Sequence, residues 1–490
     1  MGRTGNTLLS FHQNNFNSVA ADSVVTELTL TFLHFFFILV IYYMSALSSL
    51  HSTLQEDFPM SKNLRKNRHL SVLFLSFSAA LLVSGAAVPA FAADTAENIP
   101  GVCTKFNSKC TPATGTVRMP VFLVDFADEH FSEDALTADN IAHVLFSNVV
   151  GSMSTFMKNA SYGQLQLDGD VFSYTAQYPS SVYEADSNGF EMLSEEILNA
   201  FDDQLDYQDY DSNGDGYIDA FTLTIIGTHD YWYGCQATWY DDTGFSVDGV
   251  KPMLYIINDA QPYRDEIDYF VDEMCHEFGH CMGLPDYYKY NENDDEAMNG
   301  VAGSEMMDEM YGDYCQFSKL MLGWLKEDEV SVYTGDTAEY TLASSAVQGS
   351  CVIIPVNFRK LNGKTVSVTD VYTDEYFLIQ YDTMEKNMKD VLYFGEDSGI
   401  RILHVEAETL ADPYGTVSFK YDGYSPLYDT SHNGRRILRL VNDGNGYFHE
   451  GDTIDGSTPG FAWYDSKGRE TVDPGITITV GADGKVTIAE

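Results

Sequence analysis

Two histidines four residues apart, with a glutamate directly after the first, lie within the stretch Val271 to Tyr288, VDEMCHEFGHCMGLPDYY. On an α-helix, His276 and His280 project from one face about a turn apart, so both imidazoles reach a single metal ion. Glu277 then stands where a base acts on water held by that ion, the chemistry of zinc-dependent hydrolysis. Beyond the histidines, Gly283 permits a positive φ that ends a helix, and Pro285 prevents its continuation. A chain reversed there brings Asp286 back as a third ligand. Three protein ligands leave a fourth position open for water, which is the arrangement of a catalytic zinc and not of a closed structural one.

The helix that must carry these groups has its own signature. Ile267, Phe270, Val271, Met274, Phe278 and Met282 recur at three- and four-residue steps, the pattern of a core-facing stripe. At about 100° per residue the histidines fall nearly opposite that stripe. The sequence therefore predicts a helix with one buried face, its histidines looking outward into a cleft.

A second segment carries chemistry of another kind. In DYDSNGDGYID, residues 209–219, the side chains of Asp211, Asn213, Asp215 and Asp219 place oxygens at alternate positions, and Gly216 allows a sharp turn. A loop wraps calcium in this way, with the Tyr217 carbonyl as a further ligand. Thr222 stands where an EF-hand would close with glutamate, so the loop is of a different kind; the bland reading is an acidic, solvated turn.

The elements that position these motifs follow from periodicity. Residues 117–126 (VRMPVFLVDF) read as a first buried strand. Helices are predicted over 138–146, 152–159, 190–201 and 317–325, and strands over 164–172, 221–226 and 252–257. From about residue 330, short β-type runs recur between turn residues, at 338–342, 351–356, 375–381, 399–405, 437–441 and 476–480. The last two strands are joined through Gly481-Ala482-Asp483-Gly484, a hairpin signal. The class is α+β: a catalytic domain over 117–330 with a mixed sheet and an active-site helix, then a β-sandwich-like domain over 331–490 packed against it. Residues 93–116 form a short N-terminal segment.

Charge bounds the partners. The 27 Lys+Arg against 73 Asp+Glu give a net charge of −46, and the excess acidity lies after residue 92. Such a surface repels nucleic acid and anionic membranes. It suits a secreted protein, a salty medium or a cation binder. Residues 60–92 have a basic start (Lys62, Arg65, Lys66, Arg68), an apolar run and the ending Ala90-Phe91-Ala92, a secretory signal peptide with cleavage expected after Ala92. Translation is expected to begin at Met60, which makes 1–59 an upstream extension and leaves no stable membrane association. The alternative is a membrane anchor, since 28–44 is apolar enough for a short span. The oligomeric state stays open.

Seven cysteines cannot all pair. A small disulfide loop between Cys103 and Cys110 is the default expectation, with one of them capping the metal in a latent form as the sharper alternative. Cys275 and Cys281 read as free and buried.

These segments together resemble the immune inhibitor A family of secreted bacterial metallopeptidases. The resemblance rests on HEFGHCMGLPDYY, VFLVDF, ASYGQLQLDG, YDSNGDGYIDAF and FSKLMLGWL, across roughly residues 115–330, with weaker support in GIRILHVEAE. It implies a metzincin-type catalytic domain with zinc held by His276, His280 and Asp286, Glu277 as base, and structural calcium. It also implies a methionine turn beneath the zinc, at Met307 by the run SEMMD, with Met306 as the neighbouring alternative. Where many metzincins have a tyrosine two residues beyond that methionine, this chain has Glu309, with Tyr311 as a substitute further on. The expected activity is hydrolysis of peptide bonds in extracellular proteins or peptides. Two rivals remain. Glu305 is the third ligand in a gluzincin-like arrangement, and a secreted adhesin on a retired protease scaffold is the alternative from another functional class.

Overall fold

The computed structural model describes residues 96–103, 109–130, 137–225, 236–239, 244–259, 267–288, 300–411, 417–421, 434–442 and 445–490. The expected signal peptide and the stretch before it lie outside the described residues.

Side chains of β1 (Gly115–Asp125) divide between two cores. Val117, Met119, Val121 and Leu123 enter one, while Phe122 and Val124 enter another, because successive side chains of a strand point to opposite faces. Parallel strands covered on both faces read as unbroken apolar runs, and that is why VFLVDF stands out. β2 (Leu165–Thr175) and β3 (Phe221–Ile225) flank β1, both parallel to it. β4 (Gln236–Trp239) forms an antiparallel edge on β5 (Leu254–Asp259), which is parallel to β3, so the strand order is β2-β1-β3-β5-β4.

Helices cover both faces of this sheet. α1 (Ala138–Phe146) and α2 (Met153–Ala160) start at Thr137 and Ser152, whose side chains accept from the Asn140 and Thr155 N–H groups and so satisfy otherwise orphaned donors. Both pack on β2. α3 (Ser180–Glu184) leads into α4 (Gly189–Phe201) on the opposite face, where Leu193, Ile197 and Leu198 meet Phe122, Leu223 and Ile257. The motif helix, α5 (Ile267–Cys281), lies against β4, β5, α1 and α2. Two short helices follow, α6 (Met306–Glu309) and α7 (Gln316–Met321). α7 is shorter than the predicted 317–325. Leu322 caps it and Gly323 takes φ +81°, with Gly101 packed close against this turn.

The rest is β. β6 (Val330–Val332), β7 (Ala338–Thr341), β8 (Cys351–Pro355), β9 (Glu375–Thr383) and β10 (Ser398–Glu406) precede the small pair β11 (Thr409–Ala411) and β12 (Val417–Phe419). β13 (Leu438–Leu440), β14 (Thr453–Ile454), β15 (Trp463–Tyr464), β16 (Glu470–Val472), β17 (Thr477–Val480) and β18 (Lys485–Ala489) complete the chain. Two larger sheets result, ordered β13-β10-β9-β8-β6 and β14-β17-β18-β7. The expected hairpin at 481–484 joins β17 to β18.

Tyr376, Leu378, Leu403 and Val405 share the core that holds Phe270 and Met274 of α5. Their neighbours Phe377, Ile379 and Ile402 instead meet Ile478, Val486 and Ile488 of the four-stranded sheet. The described part is thus α+β and layered, from α4 through the first sheet, the helices and the second sheet to the third, within one compact unit. Among the described residues no helix is long and apolar enough to cross a membrane.

Two expectations change. α5 is buried on more than its apolar stripe: Phe270, Met274 and Phe278 are fully buried, and His276 on the other side is only 2% exposed, while His280 keeps partial exposure. The turn after the helix and the segment at 304–308 cover that second side, which periodicity within the helix does not report. Cys103 and Cys110 are buried thiols and not joined in a disulfide. Each is drawn into the wall behind the end of α5, Cys103 against Gly283 and Cys110 next to Thr111, whose N–H donates to the Cys281 carbonyl at 2.9 Å. Cys275 and Cys281 are free and buried, as read.

Candidate metal centre

The end of α5 sets the geometry. Leu284 N–H reaches back to the Gly279 carbonyl at 3.0 Å and Gly283 N–H to the His280 carbonyl at 2.8 Å, with Gly283 at φ +100°. This is a Schellman turn, which needs a residue tolerant of positive φ at its hinge. Cys103 presses on that glycine from behind: a β-carbon there would stand 3.2 Å from the Cys103 β-carbon and carbonyl oxygen. Reversed in this way, the chain carries Leu284 and Asp286 back along the histidine side of the helix.

Four groups meet there. His280 Nδ1 lies 2.7 Å from the Leu284 carbonyl, and His276 Nδ1 lies 2.8 Å from the Met306 carbonyl. A carbonyl only accepts, so each Nδ1 bears a proton and each ring turns Nε2 outward. Both Nε2 atoms face the same oxygen, Asp286 Oδ1, at 3.0 and 3.2 Å. The two rings are perpendicular, with centroids 4.8 Å apart. Glu277 Oε1 is 4.0 Å from His276 Nε2.

Three electron-rich atoms converging in a buried place require positive charge between them. Without an ion, protons supply it. Burial alone would lower the His280 pKa, but the Asp286 carboxylate raises it to about 9. Burial alone would raise that of Asp286, but His280 and His276 hold it well below the carboxylate range. A cation would replace those protons, and the donor set of two imidazole nitrogens and one carboxylate oxygen suits zinc. The 3.0 and 3.2 Å separations approach the roughly 3.3 Å edge of a tetrahedron with bonds of about 2.0 Å. The residues fit the metal.

Beneath the rings runs the segment that supplies the His276 partner. Tyr287 N–H donates to the Met307 carbonyl at 3.0 Å, and Met307 N–H donates to the Glu305 carboxylate. The Met307 side chain lies against Gly279, between the two histidines in sequence, where a β-carbon would stand 2.5 Å from Met307 Sδ. Glu305 faces away into a network of its own. Its other oxygen accepts from the Cys315 N–H, at the start of α7, at 3.1 Å and from Ser318 Oγ at 2.6 Å. From the second sheet, Arg401 donates to the Ser304 carbonyl and pairs with Asp382 at 2.7 Å.

The remaining predicted residues lie as follows. Glu309 is exposed. Tyr311 packs on Tyr393, its hydroxyl meeting the Leu392 N–H at 3.4 Å. In the acidic loop, Asp211 accepts from the N–H groups of Gly214, Asp215 and Gly216 at 2.8 to 3.0 Å. Asn213 Oδ1 accepts from Asp215 N–H, and Asp215 Oδ1 from Tyr217 N–H. Asp219 accepts from Ser212 N–H, and burial pushes it up to about 6 against that bond. The loop holds its carboxylates inward by its own backbone. One residue beside the centre received no role from the sequence: Tyr288, whose ring lies parallel to that of His276 at 6.4 Å. Its signal, a tyrosine two residues after Asp286, is too common to have singled it out.

No family model matches the chain, and no curated protein matches it. Two crystal structures of wild-type OgpA from Akkermansia muciniphila, in different crystal forms, are similar at 12% and 11% identity. The match covers 66% of this chain in both cases and 98% and 97% of those chains, each with a TM-score of 0.25. A likeness that weak identifies neither fold nor activity.

Proposed function

We propose that the protein is an exported zinc-dependent endopeptidase of the metzincin type, related to the immune inhibitor A family, with zinc held by His276, His280 and Asp286. The observation that carries the reading is the convergence of both Nε2 atoms on Asp286 Oδ1 with both Nδ1 atoms anchored to carbonyls. The family motifs add to it. A zinc ion there supplies Lewis acidity toward water and a peptide carbonyl.

The protein's own groups do the rest. Glu277 adjoins the ligands, and its burial removes competing water. As general base it takes a proton from the attacking water and passes it to the leaving amine. The Met306 and Leu284 carbonyls keep both rings in the tautomer that presents Nε2. Asp286 balances charge that two imidazoles leave uncompensated.

The test is Glu277→Ala, which is expected to retain zinc and fold while casein hydrolysis falls by a factor on the order of 10² to 10⁴. Undiminished cleavage would sink the assignment. Zinc content separates the rival ligand: Asp286→Ala is expected to lose zinc and Glu305→Ala to keep a wild-type share in whatever fraction folds. The same reading carries a structural calcium on Asp211, Asn213, Asp215, Asp219 and the Tyr217 carbonyl. Calcium is expected to raise the thermal midpoint of the zinc-loaded protein, and an equal rise in Asp215→Ala would remove the ion from that loop.

A further inference from the structure

A tyrosine hydroxyl adjoins the third ligand. The Tyr288 ring lies over His276 with 17° between the planes and 6.4 Å between centroids, and its hydroxyl is hydrogen-bonded to the Asp286 side chain. A carboxylate only accepts, so the phenol donates. On the other side of the chain, Tyr287 is tied down by its N–H to the Met307 carbonyl at 3.0 Å and its hydroxyl to Ser318 at 2.8 Å. The backbone between ligand and donor is therefore held, and the two side chains meet from a fixed base.

We infer that Tyr288 is a positioning residue of the metal centre: its hydroxyl holds the Asp286 carboxylate in the orientation that turns Oδ1 toward both histidines. This rests on the metallopeptidase reading above. The physical need is specific to a carboxylate ligand. The two imidazoles are each oriented by a carbonyl at Nδ1, whereas a carboxylate rotates about its own bond unless a second partner stops it. Partners of that kind change metal affinity by about ten- to a hundredfold when removed.

The experiment compares wild type with Tyr288→Phe, which keeps the ring and deletes the donor. Zinc affinity is measured by chelator competition, the cobalt(II)-substituted absorption spectrum reports ligand geometry, and the metal-free melting midpoint reports the fold. The expected result is about tenfold weaker zinc binding or more, an altered cobalt spectrum and an unchanged metal-free midpoint. Wild-type affinity with an unaltered spectrum would overturn the inference. A double-mutant cycle guards against a general loss of structure. In an Asp286→Asn background, removal of the Tyr288 hydroxyl is expected to cost little further affinity, and additive losses would count against the coupling. If the wild-type protein takes up no zinc, the metallopeptidase reading itself fails. If it takes up zinc and Tyr288→Phe behaves as wild type, only the role of Tyr288 fails.

Discussion

At the scale of single residues, Gly279 decides how closely helix and floor approach. Glycine inside a helix ordinarily costs about 0.5–1 kcal/mol relative to alanine, so Gly279→Ala on an open helix would stabilise. Here the added carbon would stand 2.5 Å from Met307 Sδ and 3.0 Å from the Tyr314 hydroxyl, which donates to the Cys275 carbonyl at 2.6 Å. Overpacking of a filled core costs about 1–3 kcal/mol and outweighs the propensity gain. Gly279→Ala is therefore expected to lower the urea midpoint of the metal-free protein, and a raised midpoint would show that Met307 yields freely. The spacing of His276, Glu277 and His280 was legible in the sequence because it is local. The role of Met307 came only through resemblance, and the crowding at Gly279 not at all, since that contact joins two separate segments of the chain.

At the scale of elements, β9, β10 and the β15–β16 pair are joined through one buried imidazole. His404 Nδ1 meets Glu470 at 2.7 Å and Nε2 meets Glu375 at 3.1 Å, while the ring stacks on Tyr464 at 4.4 Å. Carboxylates on both nitrogens require both protons, so the ring is cationic. Arg439 lies 3.6 Å from Glu470, and Arg435 holds Glu406 nearby. Burial alone would lower the His404 pKa, but the hydrogen bonds to Glu375 and Glu470 raise it. A group whose folded pKa is raised contributes stability fully below its unfolded value of about 6.5 and loses it as pH rises through the folded value. Glu406, pushed up to about 7 by burial, acts with the same sign. The stability difference between wild type and His404→Gln is thus expected to shrink as pH rises above about 6.5. A difference constant across that range, measured by urea unfolding at each pH, would refute a cationic His404. Strands β9 and β10 were readable as the β-type runs at 375–381 and 399–405, whereas β15 and β16 were not read as strands. The pairing of β16 with β15 was not readable either, because these strands are only three and two residues long.

At the scale of the whole molecule, the site depends on the β-rich half. Leu378, Leu403 and Val405 fill the same core as Met274 and Phe278 of α5. Arg401 ties the second sheet to the Ser304 carbonyl, two residues before the Met306 carbonyl that orients His276. Residues 94–330 expressed alone are expected to lack a cooperative thermal transition, because one wall of their core is missing. A sharp melt with retained zinc uptake in that fragment would refute the dependence.

By itself the sequence determined the candidate chemistry, most of the elements and the turn at Gly283. Each is written in short-range spacing: four residues between histidines, two-residue alternation in strands, a glycine and a proline just past a helix. Only the tertiary structure decided that α5 is covered on both sides, that the Met306 carbonyl orients His276, and that Glu305 belongs to α7 and the Ser318 hydroxyl. The last two relations join residues 30 and 13 positions apart. They arise when layers close over one another, where no periodicity within a single element can record them.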